Sequence, residues 1–311
     1  MENFIISPGG IKQTEYDLSS INAGGSLPAA HFRLLILSEQ EWDQLPRYYS
    51  HFENLPLDLA ALRIMDFPQI RRLSSSVHYV CYEDTDAQGE EVAVRFLLSA
   101  TEFIMIGWNG INLERITKWV KSGISESPFH LAQIIGARVL RHRQSQLEQL
   151  EDLMDSLEEV IMKEPRTTQQ TGIIVLQRQV ISLKKSLNAH QSVFTRLANV
   201  MPKDFPGIWQ ELVQDTQREL ENVRQTHELV QNLREAYQAA VDNRANDIMK
   251  WLTLLATILL PINILTSFFG MNFQYLPLLH KSYGVLVFFL ISVLIIFLAF
   301  LIFWRKKWLR R

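Results

Sequence analysis

Asn246, Met249, Thr253, Ala256, Leu260, Asn263 and Ser267 follow one another at steps of three and four residues. On a helix that spacing gathers them into one stripe, and four of the seven carry neutral polar side chains. Amides and hydroxyls with no acid, base or thiolate beside them are poor nucleophiles and poor proton-transfer groups. What they do well is exchange hydrogen bonds with water, with a hydrated ion, or with an amide on a neighbouring helix. Their setting matters, because Trp251–Phe269 is a run of 19 residues without a charged side chain. Asn263 in such a run is costly unless it meets water or a partner amide. Pro261 beside it has no N–H to donate and so frees a backbone carbonyl. One more amide closes the run, in Phe269-Gly270-Met271-Asn272-Phe273. The stripe fits two arrangements, a wet path or a bundle seam held by interhelical hydrogen bonds, and the residues alone leave both open.

Other chemistry finds little to work with. The eight histidines show no metalloprotease spacing and pair with no cysteine cluster, so a zinc centre is not expected. No Gly-x-x-x-x-Gly-Lys-Ser/Thr segment is present to cradle a nucleotide phosphate. An enzyme is therefore not expected, nor is a cofactor. A formal net charge of −2 with no basic domain argues against a nucleic-acid partner. The single cysteine, Cys81, excludes intrachain disulfides and fits a reducing cytosol for the polar part of the chain.

The elements that must position the stripe follow from hydropathy. A mean hydropathy near zero averages an ordinary polar chain up to about residue 250 with an apolar end. Tyr283–Trp304 gives a second uncharged run, of 22 residues. At about 1.5 Å per residue each run reaches roughly 30 Å, the hydrocarbon thickness of a bilayer. Two membrane helices are expected, at 251–269 and 283–304, with an outer turn over 270–282. Arg305, Lys306, Lys307, Arg310 and Arg311 follow the second run, whereas the turn carries Lys281 alone as a formal cation. Positive residues stay inside, so both termini are expected in the cytoplasm, with 305–311 as a basic tail. Met1–Pro8 lacks a basic start before an apolar run and is not expected to be a secretory signal. Two helices cannot enclose a wet path without turning polar groups to lipid, so conduction requires several copies. The second run is nearly all Leu, Ile, Val and Phe, which suits contact with lipid.

The polar part reads as α+β. Residues 1–125 form a mixed α/β domain, with strands expected at His31–Ser38, Ser76–Glu83, Glu91–Ser99 and Phe103–Trp108. Asp84–Gly89 reads as a hairpin turn, and Glu39–Leu45 and Leu55–Met65 as helices. Residues 126–205 hold two long antiparallel helices, Leu131–Met162 and Ile173–Val200, broken at Glu164-Pro165-Arg166. From Ile208 to Phe269 there is no glycine, and Pro261 is the single proline. One helix over that range would run about 90 Å. Leu212, Thr216, Leu220, Val223, Val230, Leu233, Tyr237, Val241, Ile248 and Leu252 mark an apolar stripe along it. A stalk over 206–250 thus leads into the first span without a break. Glu148, Glu151, Asp152, Asp155, Glu158 and Glu159 form an acidic run best read as a solvated face, with cation attraction second.

Asn246-Asp247-Ile248-Met249-Lys250, Leu252-Thr253, Pro261, Gly270-Met271-Asn272-Phe273 and Lys307-Trp308-Leu309 together resemble the CorA family of divalent-cation transporters. The similarity covers the C-terminal third in register and, more loosely, Pro68–Arg72 and the helices from 130 to 200. The resemblance implies a homopentamer with a funnel-shaped cytoplasmic domain and five stalk helices continuing into the pore. Gly270, Met271 and Asn272 would form the outer selectivity filter, with Gly270 letting the chain turn tightly and Asn272 directed at the axis. A ring of neutral amides can hold Mg²⁺ through its hydration shell, which that ion sheds reluctantly. Met249 and Leu252 would make an inner apolar constriction and Leu260 a second one, each closing by excluding water. Asn246 and Asn263 would rest the hydrated ion between them, with Thr253, Ala256 and Ser267 completing the lining. Gap-free counting from Met249-Lys250 puts Glu211 and Asp215 where the family carries regulatory aspartates, although a solvated helix face explains them as well.

The chain also departs from the pattern. Many magnesium-transporting members follow the triplet with Met-Pro-Glu-Leu, where this chain has Leu276-Pro277-Leu278-Leu279-His280-Lys281. The turn has no carboxylate, as in ZntB-type zinc transporters, yet the methionine those relatives often alter is intact. Magnesium, with cobalt and nickel as analogues, stays ahead of zinc. Outside transport, the remaining alternative is a membrane-anchored helical scaffold or sensor whose spans only associate.

Overall fold

A computed structural model of the chain describes residues 2–7, 10–13, 32–38, 41, 67–74, 76–86, 89–106, 127–200, 206–271 and 283–305. Strands β1 (Glu2–Ser7), β2 (Gly10–Gln13), β3 (Phe32–Leu37), β4 (Gln69–Arg72), β5 (His78–Thr85), β6 (Glu91–Leu98) and β7 (Glu102–Ile106) form one sheet. Their order is β2-β1-β3-β7-β6-β5-β4. The β3–β7 pair is parallel and the other described pairs are antiparallel. Four of these strands match the sequence expectation within two residues at each described end. β1, β2 and β4 were not expected, and the helices expected at Glu39–Leu45 (beyond Glu41) and Leu55–Met65 lie outside the described residues.

Chain chemistry explains the sheet. Tyr79, Val80, Cys81 and Tyr82 are all fully buried, as are Phe96, Phe103 and Met105. Consecutive burial of this kind marks a strand covered on both faces, where β-branched and aromatic runs are favoured over alternation. The β5–β6 turn closes on Gly89, whose φ of +86° suits a residue without a Cβ. The Asp86 carboxylate also accepts from the Glu90 N–H at 2.9 Å.

Helices α1 (Pro128–Lys163), α2 (Thr167–Val200), α3 (Pro206–Gly270) and α4 (Gly284–Arg305) follow. α1 and α2 are antiparallel: Gly136 faces Phe194 at one end and Gly172 faces Leu157 toward the other. α3 runs parallel to α1, with Leu212 beside Gly136, Glu219 beside Gln144 and Thr226 beside Glu151. Leu147, Met154, Leu187, Phe194, Leu212, Val223 and Val230 fill the seams between them. The apolar stripe expected on α3 is buried as far as Leu233, while Val241, Ile248 and Leu252 are exposed.

Polar groups tie the sheet to α1 and α2. The buried Asp84 carboxylate meets His142 Nδ1 at 2.6 Å and Arg138 at 3.6 Å. The Arg143 guanidinium donates to the Glu83 carboxylate at 3.0 Å and to its carbonyl at 3.1 Å. The Ser186 hydroxyl donates to the same carboxylate. The described chain divides into two compact units, 1–157 with 171–233 and 158–170 with 234–311.

Candidate functional site

α3 is one continuous helix from Pro206 to Gly270, and it carries the stripe. Asn246, Met249, Thr253, Ala256, Leu260, Asn263 and Ser267 are all exposed in the single chain. Leu254, Ile258, Pro261, Ile262, Leu265 and Phe269 are the partly shielded row of the same segment. At about 100° per residue the two rows lie nearly opposite each other on the helix. α4 covers the second row: Phe288 meets Phe269 edge-on at 5.7 Å, and Ser292, Ala299 and Phe303 are buried along α4. Small residues at such a seam let two backbones approach closely. The Ser292 hydroxyl donates to its own helix, to the Phe288 carbonyl at 3.0 Å, so the seam carries no dangling donor there. The consequence is that, among the described residues, α4 leaves the polar stripe uncovered.

Three threonine hydroxyls on this segment are also turned inward. Thr253 donates to the Met249 carbonyl at 2.7 Å, Thr257 to Thr253 at 2.7 Å, and Thr266 to Ile262 at 2.6 Å. Met249, Leu252 and Leu260 are each about three-fifths exposed. Glu235 and Asp242 are exposed too, and precede Met249, Ala256 and Asn263 at seven-residue steps. Two carboxylates therefore extend the stripe's line beyond Asn246, where the sequence reading began it. The seven-residue spacing is the signal that finds them. Among the described residues, α3 and α4 are the two helices long and apolar enough to cross a membrane.

At the end of α3 the Met271 N–H donates to the Phe268 carbonyl at 3.4 Å. Gly270 does not adopt the left-handed conformation, and a Cβ placed there would meet nothing within 4 Å. Helical backbone continues through Gly270, and the turn expected after it lies outside the described residues. Asn272 and the rest of the outer turn to residue 282 lie outside the described residues.

Glu211 and Asp215 sit on α3 beside the buried Leu212 and Thr216. Glu211 is exposed, and Asp215 is half-buried with Arg218 at 3.4 Å. Among the described residues, no three His, Cys, Asp or Glu side chains converge to hold a metal ion. The acidic run on α1 is mostly solvated; Glu151 accepts from the Thr226 hydroxyl at 2.7 Å. Beside it a cavity of about 520 Å³ between α1 and α3 is lined by Gln144, Glu148, Glu151, Glu219 and Asn222. Burial pushes the Glu219 carboxyl up, against hydrogen bonds from Gln144 and Asn222 and with Glu151 and Glu148 nearby.

Comparison with known proteins decides the family. The profile described as CorA-like Mg²⁺ transporter protein matches residues 32–307. The chain belongs to the CorA family. The cobalt/magnesium transport protein CorA of Thermotoga maritima is 30% identical over 169 residues, 52% of this chain. That alignment spans 48% of the relative's own length, about half of it. Among solved structures, the CorA magnesium transporter of Methanocaldococcus jannaschii superposes with a TM-score of 0.78 at 18% identity, covering 99% of both chains. Full-length CmaX superposes with a TM-score of 0.70 at 16% identity, over 99% of this chain and 98% of that one. At these identities the superpositions establish a shared fold. CorA members are transporters rather than enzymes, in line with the lack of a catalytic constellation in the sequence.

Proposed function

We propose that this CorA-family chain assembles as a homopentamer in the cytoplasmic membrane and passes divalent cations, Mg²⁺ foremost with Co²⁺ and Ni²⁺ as analogues, down their electrochemical gradient. One observation carries the reading: the polar stripe on α3 is exposed on the side opposite the row that α4 covers. An amide at Asn263 in an apolar span needs water or a partner, and five such stripes turned toward one axis would provide both. α4 would then shield the assembly from lipid.

In this arrangement the Asn272 amides at the outer mouth accept hydrogen bonds from a hydrated ion without stripping it, which keeps binding weak enough for release. Asn246 and Asn263 form resting rings. Met249, Leu252 and Leu260 form apolar rings that close by excluding water. A divalent ion crossing 100 mV gains about 4.6 kcal/mol, at roughly 2.3 per charge, so membrane potential suffices as the drive. Both termini lie in the cytoplasm, as the basic residues after the second span require. Glu211 and Asp215 are the candidate regulatory ligands between subunits, with Mg²⁺ as the regulator.

Zinc is the second reading, favoured by one feature, the absence of any carboxylate from Leu276-Pro277-Leu278-Leu279-His280-Lys281. Flux of Mg²⁺ and Zn²⁺ measured in one liposome preparation separates the two. Asn272→Ala is expected to abolish uptake while the pentamer persists. A pentameric variant transporting at the wild-type rate would refute the filter.

A further inference from the structure

The loop joining α1 to α2 is closed by its own hydrogen bonds. Gln169 is buried, and its amide closes the loop twice: Nε2 donates to the Glu164 carbonyl at 2.9 Å, and Oε1 accepts from the Arg166 N–H at 2.9 Å. Pro165 removes one further backbone freedom at the tip. The Arg166 guanidinium then holds the Glu164 carboxylate at 2.7 Å. This loop does not end free in solvent. It grips α3 at two points, both within the compact unit formed by 158–170 and 234–311.

The first grip is the Tyr237 hydroxyl, which donates to the Arg166 carbonyl at 3.2 Å. The second is Arg244, whose guanidinium donates to the Pro165 carbonyl at 3.3 Å and to the Glu164 carboxylate at 3.3 Å. Tyr237 and Arg244 are seven residues apart, two turns of helix, and so share one face of α3. That face is not the stripe. At about 100° per residue, Arg244 lies about 140° around the helix from Met249 and about 160° from Asn246. A single contact would leave α3 free to roll about its axis. Two contacts on one face, two turns apart, fix its rotation immediately before the first span.

We propose that Glu164, Arg244 and Tyr237 are positioning residues for the candidate ion path, a two-point clamp that sets which way Asn246 and Met249 face. The inference rests on the transport reading above. An apolar ring excludes water only while every copy presents its side chain at the same angle. A clamp acting between about one and three turns before Met249 therefore bears directly on closure. The contacts are exposed, and exposed ion pairs are individually weak and geometry-dependent. Such a clamp can be released without unfolding anything, which is what a part that moves requires.

The test uses the full chain in liposomes, with Mg²⁺ flux measured at high internal Mg²⁺. Hydrogen exchange of residues 164–170 and 237–250 is followed in the same preparations. Arg244→Glu and Glu164→Arg should each raise flux under these closing conditions by about fivefold, the scale of a lost exposed contact. The double exchange, Glu164→Arg with Arg244→Glu, should bring flux back toward wild type. Tyr237→Phe, which deletes one hydroxyl and nothing else, should raise flux in the same direction and guards against misfolding of the charge variants. Faster exchange in both segments should accompany each rise. Faster exchange with unchanged or lowered flux would overturn the clamp as a positioning device and leave the transport reading standing. Failure of the double exchange to restore flux would overturn the charge pairing. Absence of any Mg²⁺ or Zn²⁺ flux in the wild type would instead refute the transport reading, and the inference with it.

Discussion

His190 shows how far one buried side chain constrains the fold that carries the stripe. Its Nδ1–H donates to the Ser186 carbonyl at 2.9 Å, and its Nε2 accepts from the Glu83 N–H at 3.2 Å. Both ring nitrogens are used, one as donor and one as acceptor, which only the neutral imidazole can do. Burial, with the Arg143 charge nearby and against its backbone hydrogen bonds, pushes the pKa from 6.5 down to about 3. In the unfolded chain the ring takes a proton near pH 6.5, whereas the folded chain refuses it until about pH 3. Stability from this residue is therefore complete at neutral pH and is lost as pH falls between those values. Each pH unit in that window costs about 1.4 kcal/mol. Melting temperature in detergent should fall steeply from pH 6.5 toward pH 4 in the wild type and less steeply in His190→Gln, which keeps a donor and an acceptor. Equal slopes would mean that the imidazole is solvated. Nothing in the sequence around His190 announced this; its partners are 107 residues away on β5 and one turn back on α2.

At the scale of elements, α3 and its stripe were legible because an uninterrupted helical spacing needs no long-range information. β3, β5, β6 and β7 were legible for a similar reason, since runs such as Phe32–Leu37 and Tyr79–Tyr82 are apolar enough to demand burial. β1, β2 and β4 were not. Glu2–Ser7, Gly10–Gln13 and Gln69–Arg72 mix polar residues and glycine, and they become strands because β3 and β5 offer edges to β1 and β4, and β1 in turn offers one to β2. The same limit applies to the stripe, where sequence alone could not say which row of α3 meets α4. The resulting prediction concerns Met249. Removing its side chain should raise leak at high internal Mg²⁺, because the proposed barrier would depend on apolar bulk near the axis. Glycine costs a helix about 1 kcal/mol relative to alanine, so Met249→Ala is the control for Met249→Gly. Raised flux in both, with the pentamer preserved, fits a dewetting ring. Unchanged flux in both moves the constriction to Leu252 or Leu260.

At the scale of the whole molecule, the proposed cation control would act through contacts between copies, since among the described residues Glu211 and Asp215 belong to no closed site within one chain. Asp215 already has Arg218 at 3.4 Å, so a cation arriving there has to displace or tolerate that guanidinium. Replacing both carboxylates with alanine should make flux less sensitive to internal Mg²⁺ while the pentamer, measured by mass in detergent, stays intact. Inhibition identical to wild type would reduce the pair to a solvated face, and a dimer in the wild type would favour a scaffold over a channel. The inward-turned hydroxyl of Thr253 has a consequence of a different kind. Its proton is committed to the Met249 carbonyl, so the oxygen can only accept from whatever passes. Water around a cation points its hydrogens outward, whereas water around chloride points its lone pairs outward. In the proposed pore a wall of such oxygens would welcome the first shell and offer nothing to the second, rejecting anions without a single fixed charge over Trp251–Phe269.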